Sequence, residues 1–127
     1  MVAFHTRLGK SVTLGTGKTL ICKEVLFSVG GGYDNQSGIF TAPVSGLYLF
    51  MATASPWESD SNSHLFIMHE GQRVAYTSAM GRSLSTCHGV IKVAAGEKVL
   101  LQTCHTDNTF DSRWLTFFSG MLVQEEL

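Results

Sequence analysis

Two Cys-His dipeptides, Cys87-His88 and Cys104-His105, contain the residue types in this sequence that could perform chemistry. A thiol beside an imidazole can act as a nucleophile with its base, or as two ligands of a metal ion. Neighbouring residues on a strand point to opposite faces, so neither dipeptide can form such a pair within itself. Because the sequence shows no positioned nucleophile and base, we expect no enzymatic activity.

The three cysteines, Cys22, Cys87 and Cys104, leave three interpretations open. A predicted turn at residues 94–97 brings Cys87 and Cys104 to the same end of the domain, where a disulfide would stabilise the fold by roughly 3 kcal/mol. The two dipeptides could instead form a metal site, or the thiols could be buried and inert. We rank the inert thiols first. Since three is an odd number, at least one thiol has no cysteine partner within the chain.

Two polar loops, at residues 56–64 and 105–114, carry the groups that commonly bind sugars. An aromatic face packs on the C–H groups of a sugar ring, while carboxylates, amides and arginine form hydrogen bonds with its hydroxyl groups. The candidate ligand-binding residues are Trp57, Glu58, Asp60, Asn62, Asp107, Asn108, Asp111, Arg113 and Trp114. The other interpretation is that the loops are simply solvated and that Trp114 belongs to the core.

Composition limits the class of protein. The 127 residues fit one domain spanning residues 1–127. The formal net charge is −1, so no basic field favours binding to nucleic acid. No run of apolar residues reaches the roughly 18 needed for a transmembrane helix, and the N-terminus lacks the pattern of a signal peptide. The sequon Asn35-Gln36-Ser37 is a pointer to secretion.

Short strands must position these residues. Thirteen Gly, only two Pro and many Thr, Ser, Val and Phe are typical of strands joined by tight turns. The two-residue alternation predicts about eight to ten strands, which indicates a sandwich or jelly roll. The main predicted strands are 2–8, 19–29, 47–54, 64–69, 73–79, 84–93, 98–104 and 114–123.

The last predicted strand is apolar on both faces. One face carries Leu115, Phe117, Met121 and Val123, and the other carries Phe118 and Leu122. Only one of these faces can fill the core of a two-sheet sandwich. A monomer would expose the other face, and exposed apolar patches usually mark partner surfaces. We therefore expect identical subunits to bury it.

Three runs of sequence resemble the globular C1q domain of the C1q and tumour necrosis factor superfamily. They follow Tyr33 and read Gly38-Ile39-Phe40-Thr41-Ala42-Pro43, Gly46-Leu47-Tyr48-Leu49-Phe50 and Phe118-Ser119-Gly120-Met121-Leu122. The resemblance covers essentially the whole chain. It implies an all-β fold, a ten-stranded jelly-roll sandwich of two antiparallel sheets, assembled as a homotrimer. The residues it assigns to fold and trimer packing are Phe4, Tyr33, Phe40, Gly46, Tyr48, Phe50, Phe117, Phe118 and Gly120. The chain departs from the family pattern at Cys22, Ser28 and Ala52, where an aromatic, an Asn or Asp, and a further aromatic are usual.

The resemblance also bears on cofactors and cysteines. Several family members hold calcium through carboxylates in the segment that here spans Tyr76 to Ser83, which contains no acid. Because calcium needs several oxygen ligands, we expect no calcium there and no other cofactor. In the family's topology Cys87 and Cys104 lie in different sheets, about 10 Å apart, and a disulfide needs closer Cα atoms.

The function that the resemblance implies is recognition outside the cell. Stalkless C1q-domain proteins of invertebrates, bivalves especially, act in innate immunity by binding microbial sugars and lipopolysaccharide. The sequence contains no collagen-like Gly-X-Y run, which fits that type. We therefore expect a secreted, lectin-like pattern-recognition trimer. The alternative is a cytokine- or synaptic-organiser-like ligand whose receptor-binding site lies along the groove between subunits.

Overall fold

The computed structural model describes residues 1–56, 61–104, 108–111 and 116–126. Within these ranges the chain forms twelve strands and no helix, which confirms the all-β prediction. The strands are β1 (Ala3–Arg7), β2 (Val12–Leu14), β3 (Glu24–Val29), β4 (Tyr33–Asp34), β5 (Ile39–Thr41), β6 (Gly46–Ala54), β7 (Asn62–His69), β8 (Gln72–Met80), β9 (Ser85–Val93), β10 (Lys98–Thr103), β11 (Asn108–Phe110) and β12 (Phe117–Glu125). Their number exceeds the expected ten because short segments such as β2 and β4 count as separate strands.

The strands form two sheets with one shared core. The five-stranded sheet has the order β3-β1-β12-β6-β9. The seven-stranded sheet has the order β2-β11-β7-β10-β5-β4, with β8 also paired to β7. Strands that are distant in sequence are neighbours, as β1 and β12 show. The first and last strands of the chain are therefore neighbours in the five-stranded sheet.

Aromatic rings around Phe4 fill the space between the sheets. The ring of Phe4 stacks on that of Tyr33, with centroids 4.9 Å apart, and on that of Phe40 at 5.1 Å. It meets the ring of Phe118 edge-on at 5.1 Å. Phe50 lies 5.5 Å from Phe40 and is fully buried. Of the residues assigned to packing, Phe4, Phe40, Tyr48, Phe50 and Phe118 thus form part of the core, and Tyr33 packs against it. Phe117 does not belong to the core, because it lies half-buried on the other side of β12.

At two positions, Gly46 and Gly120, there is no room for a side chain. A Cβ atom at Gly120 would lie 2.6 Å from the ring of Phe50 and 2.7 Å from that of Phe4. A Cβ atom at Gly46 would lie 2.5 Å from the carbonyl oxygen of Gln124. Because real Cβ atoms do not approach other atoms so closely, both positions let the backbone pass directly over its neighbours.

The three departures from the family pattern occupy different environments. Cys22 is buried, and its carbonyl oxygen accepts a hydrogen bond from the Tyr33 hydroxyl at 2.7 Å. Ala52 is buried on β6 and pairs with Phe118 on β12. Ser28 is exposed on β3. Small side chains therefore occupy two core positions.

Strand boundaries differ from the predictions in two places. The predicted strand at 19–29 is a strand only from Glu24 to Val29, since Thr19 makes a single bridge to Gln102. The predicted loop at 105–114 contains a strand, β11. Regular pairing with a neighbouring strand, which the residue pattern alone does not show, thus sets these boundaries.

Candidate functional site

The predicted ligand-binding residues lie partly outside the described residues. Those outside are Trp57, Glu58, Asp60, Asp107, Arg113 and Trp114. The remaining three are Asn62, Asn108 and Asp111. Asn62 on β7 is half-buried and pairs in parallel with Asn108 on β11. The two predicted loops therefore meet at Asn62 and Asn108.

Asn108 and Asp111 have fully buried side chains. Oδ1 of Asn108 accepts a hydrogen bond from the backbone N–H of His64 at 2.8 Å, and its Nδ2 donates to the Cys104 carbonyl at 3.0 Å. Oδ1 of Asp111 accepts from the Ser11 hydroxyl at 3.4 Å. In this structure both side chains hold the loop ends in place instead of facing solvent. Their polarity in the sequence does not distinguish a solvated residue from a buried, hydrogen-bonded one.

The outer face of the five-stranded sheet is apolar. Phe27, Val29, Leu49, Met51 and Met121 line a shallow groove of about 510 Å³ on it, and we call these five residues the apolar face. Phe27 is 50% exposed and Met121 is 43% exposed. A single chain thus leaves large apolar side chains in water on this side of the sandwich.

The last strand has its apolar residues on the two sides that the sequence predicted. Phe118 and Leu122 pack into the core. Met121 and Val123 are exposed, and Phe117 is half-buried. Leu115, which was predicted to share their face, lies outside the described residues.

All three cysteines are free thiols, so the Cys87–Cys104 disulfide is not formed in this structure. Cys87 lies on β9 of the five-stranded sheet, whereas Cys104 follows β10 of the other sheet. Burial raises the pKa of Cys22 to about 12 and that of Cys87 to about 11. Burial also raises the pKa of Cys104, which is partly exposed. Within the described ranges, no three His, Cys, Asp or Glu residues form a group that could hold a metal ion; His105 lies outside them.

We expect iodoacetamide to alkylate Cys104 first in the native protein and to leave Cys22 unmodified until the chain unfolds. The thiolate is the reacting species, and burial both suppresses the thiolate of Cys22 and blocks access to it. Peptide mass spectrometry before and after unfolding, without reductant, measures this order. Labelling of Cys87 and Cys104 only after reduction would instead demonstrate a disulfide between them.

A third group of residues, which the sequence analysis did not identify, lies on the outer face of the seven-stranded sheet. It consists of His64, Phe66, Arg73 and Tyr76, which we call the aromatic platform. The rings of Phe66 and Tyr76 are 5.0 Å apart, and Nδ1 of His64 lies 3.0 Å from the Tyr76 hydroxyl. Cζ of Arg73 lies 4.5 Å from the centre of the Phe66 ring. Alternation within β7 was the available signal, because it places His64 and Phe66 on one face.

The fold and sequence together define the class of protein. Residues 3–123 match the family model of the C1q domain, and the chain therefore belongs to the C1q domain family. It is 32% identical over 110 residues to human complement C1q tumor necrosis factor-related protein 3 and 29% identical to the mouse protein of that name. Each alignment covers 84% of this chain and 45% of the relative, so the chain spans about half the length of these curated relatives.

Solved structures show the same fold. The globular domain of zebrafish complement 1qA superposes with a TM-score of 0.78 at 16% identity, covering 99% of this chain and 100% of that one. Murine APRIL at pH 8.5 superposes with a TM-score of 0.75 at 12% identity, covering 96% and 98%. These similarities confirm the predicted jelly roll of C1q and tumour necrosis factor type. None of the described segments is a helix of the length and apolarity that a membrane span requires.

Proposed function

We propose that this chain is a secreted, non-enzymatic recognition protein that assembles as a trimer and binds microbial carbohydrate or lipopolysaccharide. The observation that supports a trimer is the apolar face. A monomer would leave Phe27, Met51 and Met121 in water, and packing of identical faces around a threefold axis removes them from it. The seven-stranded sheet then stays on the outside of the trimer.

The flanks of the polar loops support a shared ligand-binding region. Asn62, within the first predicted loop, pairs with Asn108, within the second. The backbone N–H of Asp111 donates to the carbonyl of Ser55, just before the first loop, at 2.8 Å. Buried hydrogen bonds of this kind fix loop ends on a rigid scaffold, which is the usual setting for a binding site.

The experiment that tests the proposal is a screen of microbial glycans and lipopolysaccharide with the wild-type protein and loop variants. We expect binding that free monosaccharide inhibits and that Trp57→Ala weakens about tenfold or more, since an aromatic face is lost from the sugar ring. Trp57→Phe, which keeps an aromatic ring, is the matched control. Unchanged binding in Trp57→Ala and in the double variant of Asp107 and Arg113 to alanine would exclude these loops. A protein that binds no glycan would contradict the function.

A protein ligand for a cell-surface receptor is the second candidate. Its support is the similarity to the C1q tumor necrosis factor-related proteins and the shared fold with murine APRIL. Saturable binding to cells that free sugars do not inhibit would favour this function over the first.

A further inference from the structure

We infer that the aromatic platform is a binding site for a sugar that carries a carboxylate. The inference rests on the proposed sugar recognition and adds to it a second site, distant in sequence from Trp57, together with the chemical class of its ligand. It combines three observations on one face of the seven-stranded sheet: a pair of aromatic rings of which one is exposed, an arginine, and hydrogen-bonding groups.

The rings form a surface on which a sugar ring can pack. Gln102 on β10 pairs with Phe66 on β7, which in turn pairs with Tyr76 on β8. The three side chains therefore stand in one row across the sheet and on the same face. Tyr76 is 45% exposed and Phe66 is half-buried beside it. The exposed Tyr76 ring offers the amphipathic aromatic surface that suits the C–H groups of a sugar.

Arg73 supplies a positive charge directly over one of these rings, beside Tyr76. Its guanidinium group lies over Phe66, and among the described residues it has no carboxylate partner within ion-pair distance. The carboxylates at the nearby ends of the strands are engaged elsewhere. Glu97 contacts His69 at 2.9 Å, and Glu70 accepts a hydrogen bond from the backbone N–H of Lys98 at 2.7 Å. A planar guanidinium group binds a carboxylate through two parallel hydrogen bonds, so it selects an acidic ligand.

Hydrogen-bonding groups border the rings on the other side. The Tyr76 hydroxyl lies 3.0 Å from Nδ1 of His64, which fixes its position on the platform. The amide of Gln102 lies in the same row and offers both a donor and an acceptor. A sugar would fit this arrangement with its carboxylate bound to Arg73. Its hydroxyl groups would then form hydrogen bonds with Tyr76 and Gln102.

The platform lies on the opposite sheet from the apolar face. A trimer that packs through the apolar face therefore leaves the platform open, and each trimer presents three copies. Several weak sites on one assembly raise the avidity for a polymer that repeats the ligand.

The test compares surfaces that carry glucuronide with matched surfaces that carry glucoside, which differ only in the carboxylate. We expect the wild-type protein to bind glucuronide about tenfold more tightly or better, and Arg73→Gln to lose this preference. Arg82→Gln removes the same charge from another exposed position and should keep the preference. Thermal unfolding of both variants confirms that they are folded.

Equal binding of glucuronide by the wild-type protein and Arg73→Gln would overturn the inference. Binding of a sulfated glucoside as tightly as glucuronide would overturn the assignment of a carboxylate. Binding of microbial glycans that depends on Trp57, without any binding of glucuronide, would overturn the platform alone and leave the proposed function standing. If no sugar binds at all, the proposed function fails together with this inference.

Discussion

Replacing Phe50 with alanine is expected to lower the free energy of unfolding by about 3–5 kcal/mol. Phe50 is fully buried, and its ring lies within 6.4 Å of the rings of Phe4, Phe40, Tyr48 and Phe118. Removal of the ring takes away its burial and leaves a cavity that four large neighbours cannot fill without moving. Urea denaturation at a fixed protein concentration measures the loss.

The matched control is Tyr76→Ala, which removes a ring of similar size from an exposed position on the other sheet. We expect it to cost less than about 1 kcal/mol, since surface substitutions usually have small effects on stability. Losses of similar size in the two variants would contradict the assignment of Phe50 to the centre of the core.

Met121→Glu is expected to convert the proposed trimer into single folded chains. Met121 lies at the centre of the apolar face, on β12, between Ala3 of β1 and Leu49 of β6. In a trimer that buries this face, three carboxylates would lose their hydration without a compensating charge, and each burial costs several kcal/mol. The folded single chain exposes position 121, so the fold itself can accommodate the change. Light scattering gives the molar mass, and circular dichroism reports whether the sheets persist.

Met80→Glu provides the control for this prediction. Met80 lies at the end of β8, on the other sheet, and is 70% exposed. The same change of side chain there should leave the molar mass at that of the wild-type protein. A Met121→Glu variant with the wild-type mass would show that the subunits do not associate through this face.

The sequence predicted the sheets well because a strand has a period of two residues. In β12 the alternation correctly separated Phe118 and Leu122, which pack in the core, from the exposed Met121. The alternation of successive side chains between the two faces of a strand depends only on backbone geometry. It can therefore be read from the sequence without knowing which strands are neighbours.

The environment of the polar loops could not be predicted in the same way. Asn108 is buried because β11 inserts between β2 and β7, which is a contact between distant parts of the chain. A three-residue strand carries too little pattern to indicate its partners. From the sequence alone, the buried amide of Asn108 therefore cannot be distinguished from a solvated one.

The aromatic platform depends on a local irregularity that the sequence does not reveal. Phe66 pairs with Tyr76 and Ile67 with Ala75, but Met68 pairs with Arg73 because a bulge interrupts the register between Ile67 and Met68. Without the bulge, alternation would turn Arg73 toward the opposite face. The bulge thus places the arginine over Phe66, and only the structure shows it.

Oxidation of methionine by hydrogen peroxide tests most directly whether the apolar face is buried between subunits. In a single chain Met51 and Met121 are 36% and 43% exposed, compared with 70% for Met80, so a monomer would oxidise all three readily. The trimer predicts that Met80 oxidises about ten times faster than Met51 and Met121, as measured by peptide mass spectrometry. Oxidation of Met121 at a rate within about twofold of that of Met80 would contradict the proposed assembly.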